Sequence, residues 1–341
     1  MTAATIPPTV VIFSGIQPTG RKHLGNYIGA ILNYVKGQDT ADPAIYCIVD
    51  LHGTTVAYDP QELRRRTRET AALLVASGLD PERCILFRQG DVPEHTELTW
   101  LLSSVTSVGQ LNRMHQFRDK AGAARERASA GLLYYPVLMA ADVLAYRANE
   151  VPVGEDQREH IELMRDVAEA FNKRFGETLA VPEGNIPTVG ARVRDLKEPE
   201  KKMSTTGGTP KGTVYVDEEP DSIVKKFRGA TADSGKEIVV RDDKPGISNL
   251  IEILAVVRGC GPADIEREFA GSGYGDFKTA VGEEVAEWLK PTRERYAEIK
   301  DDTAYIEGVF QVGAEKARAI ASATVADVRE AMGVGPVRRA T

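Results

Sequence analysis

Apolar residues along the chain fall into short unbroken runs and into helical spacings. The runs at 9–15, 44–50 and 84–90 are rich in β-branched and aromatic residues and close on Gly or Asp. This pattern predicts three strands. Because these strands lack a polar alternate face, both of their faces should be buried, as in a parallel sheet.

Helical spacing follows the first two runs. Segment 25–38 repeats its apolar residues every three or four positions, and 59–78 has Asp59 as N-cap, Pro60 at the first helical position and Gly78 as C-cap. Strands that alternate with helices are typical of an α/β fold. The sequence therefore predicts a Rossmann-type, doubly wound parallel sheet.

The middle of the chain is mostly helical in pattern from 93 to 148, with a polar, Gly- and Ala-rich break at 119–131. A short strand and turn at 151–157 lead into an amphipathic helix. Its core face comprises Ile161, Met164, Ala168, Phe171 and Phe175. The Gly-, Thr- and Lys-rich segment 201–214 has no apolar period, so it is either a surface linker or a mobile loop that brings positive charge to a phosphate.

Beyond residue 215 the pattern is helical only, in segments 218–230, 247–258, 276–299 and 313–332. We therefore predict a tail at 1–8 that is disordered and a Rossmann-type domain at 9–200 with a helical insertion at about 93–148. The loop at 201–214 then leads to a helical domain at 215–335.

Composition narrows the class of protein. The 341 residues are 42% hydrophobic and 27% charged, with a net charge of −7, which fits a folded chain rather than a disordered one. No apolar run reaches the roughly 20 residues of a membrane span, and the first ten residues show no signal-peptide pattern. Three widely spaced cysteines argue against a zinc site or a disulfide framework and favour the cytoplasm.

The first candidate site is the turn after the first strand, in "FSGIQPTGRKHLGNYIGA" at 13–30. A helix that begins near Gly25 and Asn26 favours phosphate at its start, and His23 can donate to phosphate oxygens. An ordinary turn with an exposed histidine is an alternative from these residues alone. The Walker pattern is absent.

Two further candidates follow. Asp142 interrupts an apolar helical run, so it either faces solvent or is buried with a hydrogen-bond donor. In "VPVGEDQREH" at 151–160, Glu155 and Asp156 suit a helix start, but the predicted end of a parallel strand is also where α/β folds bind ligands.

The motifs follow one another in the same order as in a known protein family. "HLGN" at 23–26 and "KMSTT" at 202–206 resemble the two signatures of class I aminoacyl-tRNA synthetases. With "SGIQPTG", "YPVLMAAD", "PVGEDQ", "HIELMRDVAEAFN" and "KPGISNL", the chain is similar to tryptophanyl-tRNA synthetases from about residue 11 to about residue 333.

This resemblance implies a reaction. Tryptophan would be activated by ATP with Mg²⁺, and the acyl group would pass from the adenylate to the 3′-terminal ribose of the tryptophan tRNA. Such a site needs positioned charge rather than a catalytic triad. The family also implies a homodimer that contacts through its middle helices, an anticodon-binding role for the helical domain, and a loop that closes over ATP.

The resemblance also implies roles for individual positions. Residues implied to be catalytic are His23, Asn26, Lys120, Lys202 and Ser204. Residues implied to bind ATP are Gln17, Pro18, Thr19, Gly25, Asn26, Gly154, Glu155, Asp156, Val193, Lys202, Met203, Ser204, Thr205 and Thr206. Residues implied to bind tryptophan are Phe13, His52, Tyr135, Met139, Asp142, Val151, Val153 and Gln157, with Asp142 accepting the indole N–H.

One position departs from the family. Thr205 stands where a second lysine is usual, so Lys202 is expected to carry most of the loop's charge stabilisation. Alternatives to tryptophan–tRNA ligation are a tyrosine-specific enzyme of the same fold, a nucleotidyltransferase with related signatures, and a paralogue without full ligase activity. "PVGEDQ" favours tryptophan over tyrosine, and "KPGISNL" with the long helical tail disfavours a plain nucleotidyltransferase.

Overall fold

A single parallel sheet organises the first half of the chain. The computed structural model describes residues 10–115, 129–154, 157–185, 193–205 and 207–335. The five strands lie in the order β3-β2-β1-β4-β5, and they are β1 (Ile12–Ile16), β2 (Ala44–Ile48), β3 (Ile85–Arg88), β4 (Glu150–Pro152) and β5 (Glu183–Asn185). The α/β, doubly wound prediction is confirmed.

The register shows where the strand order reverses. β1 pairs along its whole length with β2, from Ile12 opposite Ala44 to Ile16 opposite Ile48. On its other side β1 pairs with β4, a strand far along the chain, at Ile12 and Glu150. The crevice between the carboxyl ends of β1 and β4 is therefore the switch point at which such sheets bind ligands.

Helices cover both faces of the sheet. In the first half they are α1 (Leu24–Asn26), a π-helical turn (Tyr27–Ile31), α2 (Leu32–Gly37), α3 (Pro60–Ala76), α4 (Glu94–Leu102), α5 (Val108–Arg113), α6 (Ala130–Leu144) and α7 (Arg158–Phe175). In the second half they are α8 (Pro220–Arg228), α9 (Pro245–Arg258), α10 (Pro262–Glu268), α11 (Tyr274–Trp288), α12 (Lys290–Ile299) and α13 (Thr303–Met332).

Local sequence signals explain most helix ends. Asp59 caps α3 by accepting a hydrogen bond from the Glu62 amide at 2.7 Å, and Pro60 takes the first helical position. The cap at the other end is Ser77, and Gly78 follows it with a φ of +105°. The predicted helix at 276–299 is two helices, because Pro291 has no N–H to continue α11.

The tail helices pack against the sheet as well as against one another. Ala314, Ala317 and Ala321 of α13 are buried in the same cluster as Phe87 of β3. Gly313 lies so close to the edge strand that a Cβ there would overlap the carbonyl oxygen of Leu86. α13 thus covers the backbone edge of β3, which would otherwise be open to pairing. The domain division at 200–215 stays a prediction.

Two further properties concern the whole fold. In the part of the chain that is described, no helix is both long enough and apolar enough to cross a bilayer. The three cysteines are free thiols, with Cys47 and Cys84 buried and Cys260 exposed. The predicted tail at 1–8 lies outside the described residues, as does most of the break at 119–131.

Candidate active site

A cavity of about 570 Å³ opens at the switch point of the sheet, a volume in the range of small-molecule sites. Its walls come from the ends of β1, β2 and β4, from α1 and the π-helical turn, from one face of α6, and from the loop after β5. Segments that are far apart in sequence therefore meet around one space.

Most predicted site residues that the structure describes line this cavity. They are Phe13, Gln17, Gly25, Asn26, His52, Tyr135, Met139, Asp142, Val151, Val153, Gly154, Gln157, Val193 and Lys202. Pro18, Thr19, His23, Met203, Ser204 and Thr205 are not among its lining residues. Lys120, Glu155, Asp156 and Thr206 lie outside the described residues, so their predicted roles stay predictions.

One face of α6 forms the apolar end of the cavity. Tyr135, Met139 and Asp142 are four and three positions apart, which places them on one side of a helix. Phe13 from β1 and Val151 from β4 close the same end. A flat aromatic ligand would be enclosed here by apolar side chains, with one carboxylate available for a polar contact.

Asp142 is buried, with 2% of its surface exposed, and three side chains donate to it. His52 Nε2 lies 2.9 Å from Oδ2, while Gln89 Nε2 at 2.7 Å and His95 Nδ1 at 2.5 Å both reach Oδ1. A carboxylate offers about four acceptor positions. Within the described residues, Oδ2 accepts a single hydrogen bond, so it retains capacity for a donor from a ligand.

This network keeps the carboxyl ionised. Burial would raise the pKa of Asp142, but the hydrogen bonds from His52 and His95 outweigh burial and hold the pKa well below its usual range. Gln89 is itself oriented, because its Oε1 accepts from the Leu51 amide at 3.1 Å while its Nε2 faces the carboxylate. The site thus presents a fixed negative charge in an apolar wall.

Aromatic contacts hold the neighbouring side chains. Phe13 stacks on Tyr146, with ring centroids 5.4 Å apart, and the Tyr146 hydroxyl lies 2.6 Å from His95 Nε2. The Tyr135 hydroxyl lies 2.9 Å from His160 Nε2, and burial raises the pKa of Tyr135 to about 12. Tyr135 is therefore a neutral hydroxyl at ordinary pH.

At the other end of the cavity, a buried lysine shapes the turn after β1. The ammonium of Lys22 donates to the carbonyls of Gln17 at 2.6 Å and Thr19 at 3.2 Å. Burial, with the nearby charge of Arg66, lowers the pKa of Lys22 to about 8. Lys22 thus fixes the backbone of the turn, and it thereby holds Gln17, which lies on this turn and lines the cavity.

His23 caps α1 rather than lining the cavity. Its Nδ1 accepts from the Asn26 amide at 3.2 Å, and its own amide donates to Asn26 Oδ1 at 3.2 Å. The first turn needs such an acceptor for its unpaired amides. Burial, followed by the charges of Lys202 and Lys22, lowers the pKa of His23 to about 4. The ring is therefore neutral at pH 7, and the hydrogen on Nε2 is the one it can donate.

Lys202 lines the cavity from a two-stranded antiparallel ribbon, which is formed by residues 193–195 and 201–203. Met203 N donates to Val193 O and Asp195 N donates to Lys201 O, both at 3.0 Å. Val193 also lines the cavity, whereas Met203 is buried in the core with 1% of its surface exposed. The signature lysine and the predicted adenine contact are thus neighbours on one ribbon.

The remaining signature residues stabilise the loop itself. Ser204 Oγ accepts from the Gly207 amide at 3.1 Å. Thr205 Oγ1 donates to the Arg21 carbonyl at 3.1 Å, and its methyl group packs against Gly20, which has a φ of +59°. The threonine that replaces the usual lysine therefore contacts the turn after β1 and not the cavity.

Sequence reasoning missed Gln89, His95 and Lys22. Gln89 and His95 are fully buried polar residues, and the signal for them was the need of a buried Asp142 for donors. Which residues donate to Asp142 depends on which strand lies next to β2 in the sheet, because Gln89 follows β3. Among the described residues, no group of three or more His, Cys, Asp or Glu side chains is placed to hold a metal ion.

Comparisons with known proteins show which family and which chains this protein is similar to. Residues 8–290 match the family described as tRNA synthetases class I (W and Y). The tryptophan–tRNA ligase 2 of Streptomyces avermitilis is 47% identical, over 96% of this chain and 98% of that protein.

Solved structures give the same result. The tryptophanyl-tRNA synthetase from Mycoplasma pneumoniae superposes with a TM-score of 0.87 at 32% identity, over 96% of this chain and 98% of that one. The synthetase from Campylobacter jejuni, complexed with ADP and tryptophan, superposes with a TM-score of 0.79 at 31% identity, over 95% and 100% of the two chains.

Proposed function

Since the chain belongs to the class I tRNA synthetases of tryptophan and tyrosine, we propose that it is a tryptophan–tRNA ligase and that the cavity at the switch point holds tryptophan and ATP. The observation that carries the choice of amino acid is the buried Asp142, whose Oδ2 has acceptor capacity left in an apolar wall. Tryptophan offers an indole N–H to that oxygen.

The first step forms a mixed anhydride. A carboxylate oxygen of tryptophan attacks the α-phosphorus of ATP, the new P–O bond forms, and the bond to the pyrophosphate oxygen breaks. The carboxylate is already a nucleophile, so no protein base is required. The chain's part is to align the two substrates and to stabilise the phosphate charge.

The second step transfers the acyl group. A hydroxyl of the 3′-terminal ribose of the tRNA attacks the carbonyl carbon of the adenylate, and AMP leaves. Tyr135 and Gln157, which both line the cavity, suit the amino-acid head of tryptophan, because a neutral phenol and an amide can both accept hydrogen bonds.

The nucleotide is proposed to lie along the turn after β1 and the ribbon. Gln17, Gly25, Asn26, Gly154 and Val193 line this part of the cavity. A side chain at Gly25 would press on the His23 ring, with a Cβ 3.0 Å from Nδ1, so a glycine keeps the passage open. Mg²⁺ would arrive bound to the phosphates of ATP, as part of the substrate.

Lys202 is proposed to stabilise the charge on the phosphates, since it is the cation among the cavity's described lining residues. Ser204 and Thr205 would act indirectly, by holding the loop in position. Roles for Lys120 at the pyrophosphate and for Glu155, Asp156 and Thr206 at ATP follow from the family pattern alone.

The chain is proposed to act as a homodimer in the cytoplasm, with the helical part from residue 215 binding the anticodon arm. Trp100 on α4 is 76% exposed and Val108 on α5 is 66% exposed, the two highest values among the large apolar side chains of the described residues. Trp100→Glu should shift sedimentation velocity from dimer to monomer, while Val240→Glu should not.

The test of the proposed activity is ATP–pyrophosphate exchange with tryptophan and tyrosine side by side. Exchange with tryptophan alone is expected. Exchange with tyrosine alone would favour the tyrosine enzyme, and exchange without acylation of the tryptophan tRNA would favour an auxiliary protein.

A further inference from the structure

The ribbon that carries Lys202 has an outer edge. Arg194 and Lys202 face each other as an isolated antiparallel bridge, and the hydrogen bonds across the ribbon come from the flanking residues, Val193 and Asp195. In such a pair the central residue directs its own N–H and C=O away from its partner strand. The backbone of Arg194 therefore needs partners on the far side.

Asn249 supplies both partners. Its Oδ1 accepts from the Arg194 amide at 2.8 Å, and its Nδ2 donates to the Arg194 carbonyl at 3.2 Å. Asn249 lies on α9 and is 2% exposed. A single carboxamide thus takes the place of a third strand, and it comes from a helix of the second half of the chain.

The two hydrogen bonds from Asn249 to Arg194 form a clamp, and the two residues beside this clamp both face the cavity. Val193 precedes Arg194 directly, and Lys202 lies opposite it. Without the carboxamide of Asn249, the outer edge of the ribbon loses both of these backbone hydrogen bonds, and a shift of Val193 or Lys202 would change its reach into the cavity. The position of α9 and the position of Lys202 are therefore linked through the Asn249 carboxamide.

The region around α9 is itself firmly held. The Thr231 amide donates to Leu196 O at 2.7 Å, and a Cβ at Gly246 would overlap Thr231 O. Just before α9, the buried Lys244 ammonium lies 2.8 Å from Asp233 Oδ1 and 2.9 Å from the Tyr274 hydroxyl. The start of α9, the helix that carries Asn249, is thus held by contacts with neighbouring segments.

We propose that Asn249 is a positioning residue for the nucleotide: it sets the register of the ribbon so that Val193 and Lys202 meet ATP together, and it makes the ATP end of the cavity dependent on α9. The proposal rests on the assignment of that end to ATP. It does not involve the tryptophan end, whose walls come from α6, β1 and β4.

The neighbouring residue is a matched control. Ser248 Oγ makes the same kind of double contact, since it accepts from the Arg241 amide and donates to the Arg241 carbonyl, both at 3.0 Å. Neither Ser248 nor Arg241 lines the cavity. Ser248→Ala therefore removes two side chain–backbone hydrogen bonds from the same helix without touching the ribbon.

The experiment compares the full-length wild type with Asn249→Ala and Ser248→Ala in ATP–pyrophosphate exchange, and it measures KM separately for ATP and for tryptophan. In Asn249→Ala the KM for ATP should rise about tenfold, which corresponds to ~1.4 kcal/mol, while the KM for tryptophan stays within about twofold. In Ser248→Ala both values should stay within about twofold of wild type. Hydrogen exchange should increase at 193–203 in Asn249→Ala only.

An unchanged KM for ATP in Asn249→Ala overturns the proposal, as does an equal rise for ATP and tryptophan. If Asn249→Ala does not fold, Asn249→Ser carries the same comparison, because a hydroxyl at position 249 ends one atom short of the Oδ1 and Nδ2 atoms that reach Arg194. Absence of exchange in the wild type would instead refute the proposed function, so the two failures are distinguishable.

Discussion

The buried carboxylate of Asp142 allows a sharp test, through the isosteric variant Asp142→Asn. The amide keeps one acceptor oxygen and replaces the other by an NH₂ donor. Gln89 and His95 both donate to Oδ1, so the remaining oxygen should stay on their side. The NH₂ group then occupies the position of Oδ2, where it faces an indole N–H donor to donor.

The expected cost follows from the contacts. A hydrogen bond to a charged group contributes about 1.5–3 kcal/mol, so its loss in the transition state should lower kcat/KM for tryptophan about 10- to 150-fold. His52 can accommodate the new NH₂ group by changing tautomer, so the fold should survive. The KM for ATP should change little, because the nucleotide end of the cavity is built from other elements.

Steady-state ATP–pyrophosphate exchange measures both constants, and thermal unfolding checks the fold. Asp50→Asn is the control, since Asp50 accepts from the Gly90 amide at 2.9 Å and is not a cavity-lining residue. Near-wild-type kcat/KM for tryptophan in a folded Asp142→Asn would refute the reasoning. An equal loss in Asp50→Asn would show that the effect is not specific to Oδ2.

Three further predictions address the nucleotide end and the fold. Lys202→Ala should slow adenylate formation about 10²-fold in pre-steady-state assays, and Thr205→Ala should have a much smaller effect; equal small effects would contradict the role of the lysine. Because the folded pKa of His23 is about 4 against 6.5 in the unfolded chain, the unfolded state binds more protons between these values, and the free energy of unfolding should fall as the pH drops through them. In urea unfolding, the free energy of unfolding of His23→Asn should depend less on pH than that of the wild type. An unchanged pH dependence would argue against the shift. Gly313→Ala should lower the free energy of unfolding by about 1–3 kcal/mol, whereas Gly308→Ala on the same helix, where a Cβ meets nothing within 4 Å, should be neutral or stabilising by up to about 1 kcal/mol.

The layout of the sheet was predictable because burial on both faces leaves a strong local pattern. The runs that became β1, β2 and β3 are continuous apolar segments. By contrast, β5 spans Glu183–Asn185, a Glu-Gly-Asn segment that has no apolar run, so no strand is predicted there. Pro291 marks the break between α11 and α12 in the sequence. Because the helical spacing of apolar residues continues on both sides of it, a single helical segment is predicted at 276–299.

The cavity was predictable to the extent that its residues belong to motifs. Tyr135, Met139 and Asp142 show their common face by spacing alone. Two of the three donors to Asp142 do not, since Gln89 and His95 follow a different strand and only the order of strands in space brings them to α6. The clamp of Asn249 on Arg194 is likewise invisible in the sequence, because a side chain that pairs with backbone leaves no residue-type signature on its partner.

The contact of α13 with β3 has a consequence for biosynthesis. While the ribosome is still translating, β3 is the edge of a nearly complete sheet whose cover, residues 303–332, has not yet been made. The nascent catalytic half thus has an exposed backbone edge until translation is almost finished, and exposed edges recruit other strands. Premature termination before Thr303 would therefore yield an aggregation-prone fragment rather than a smaller enzyme.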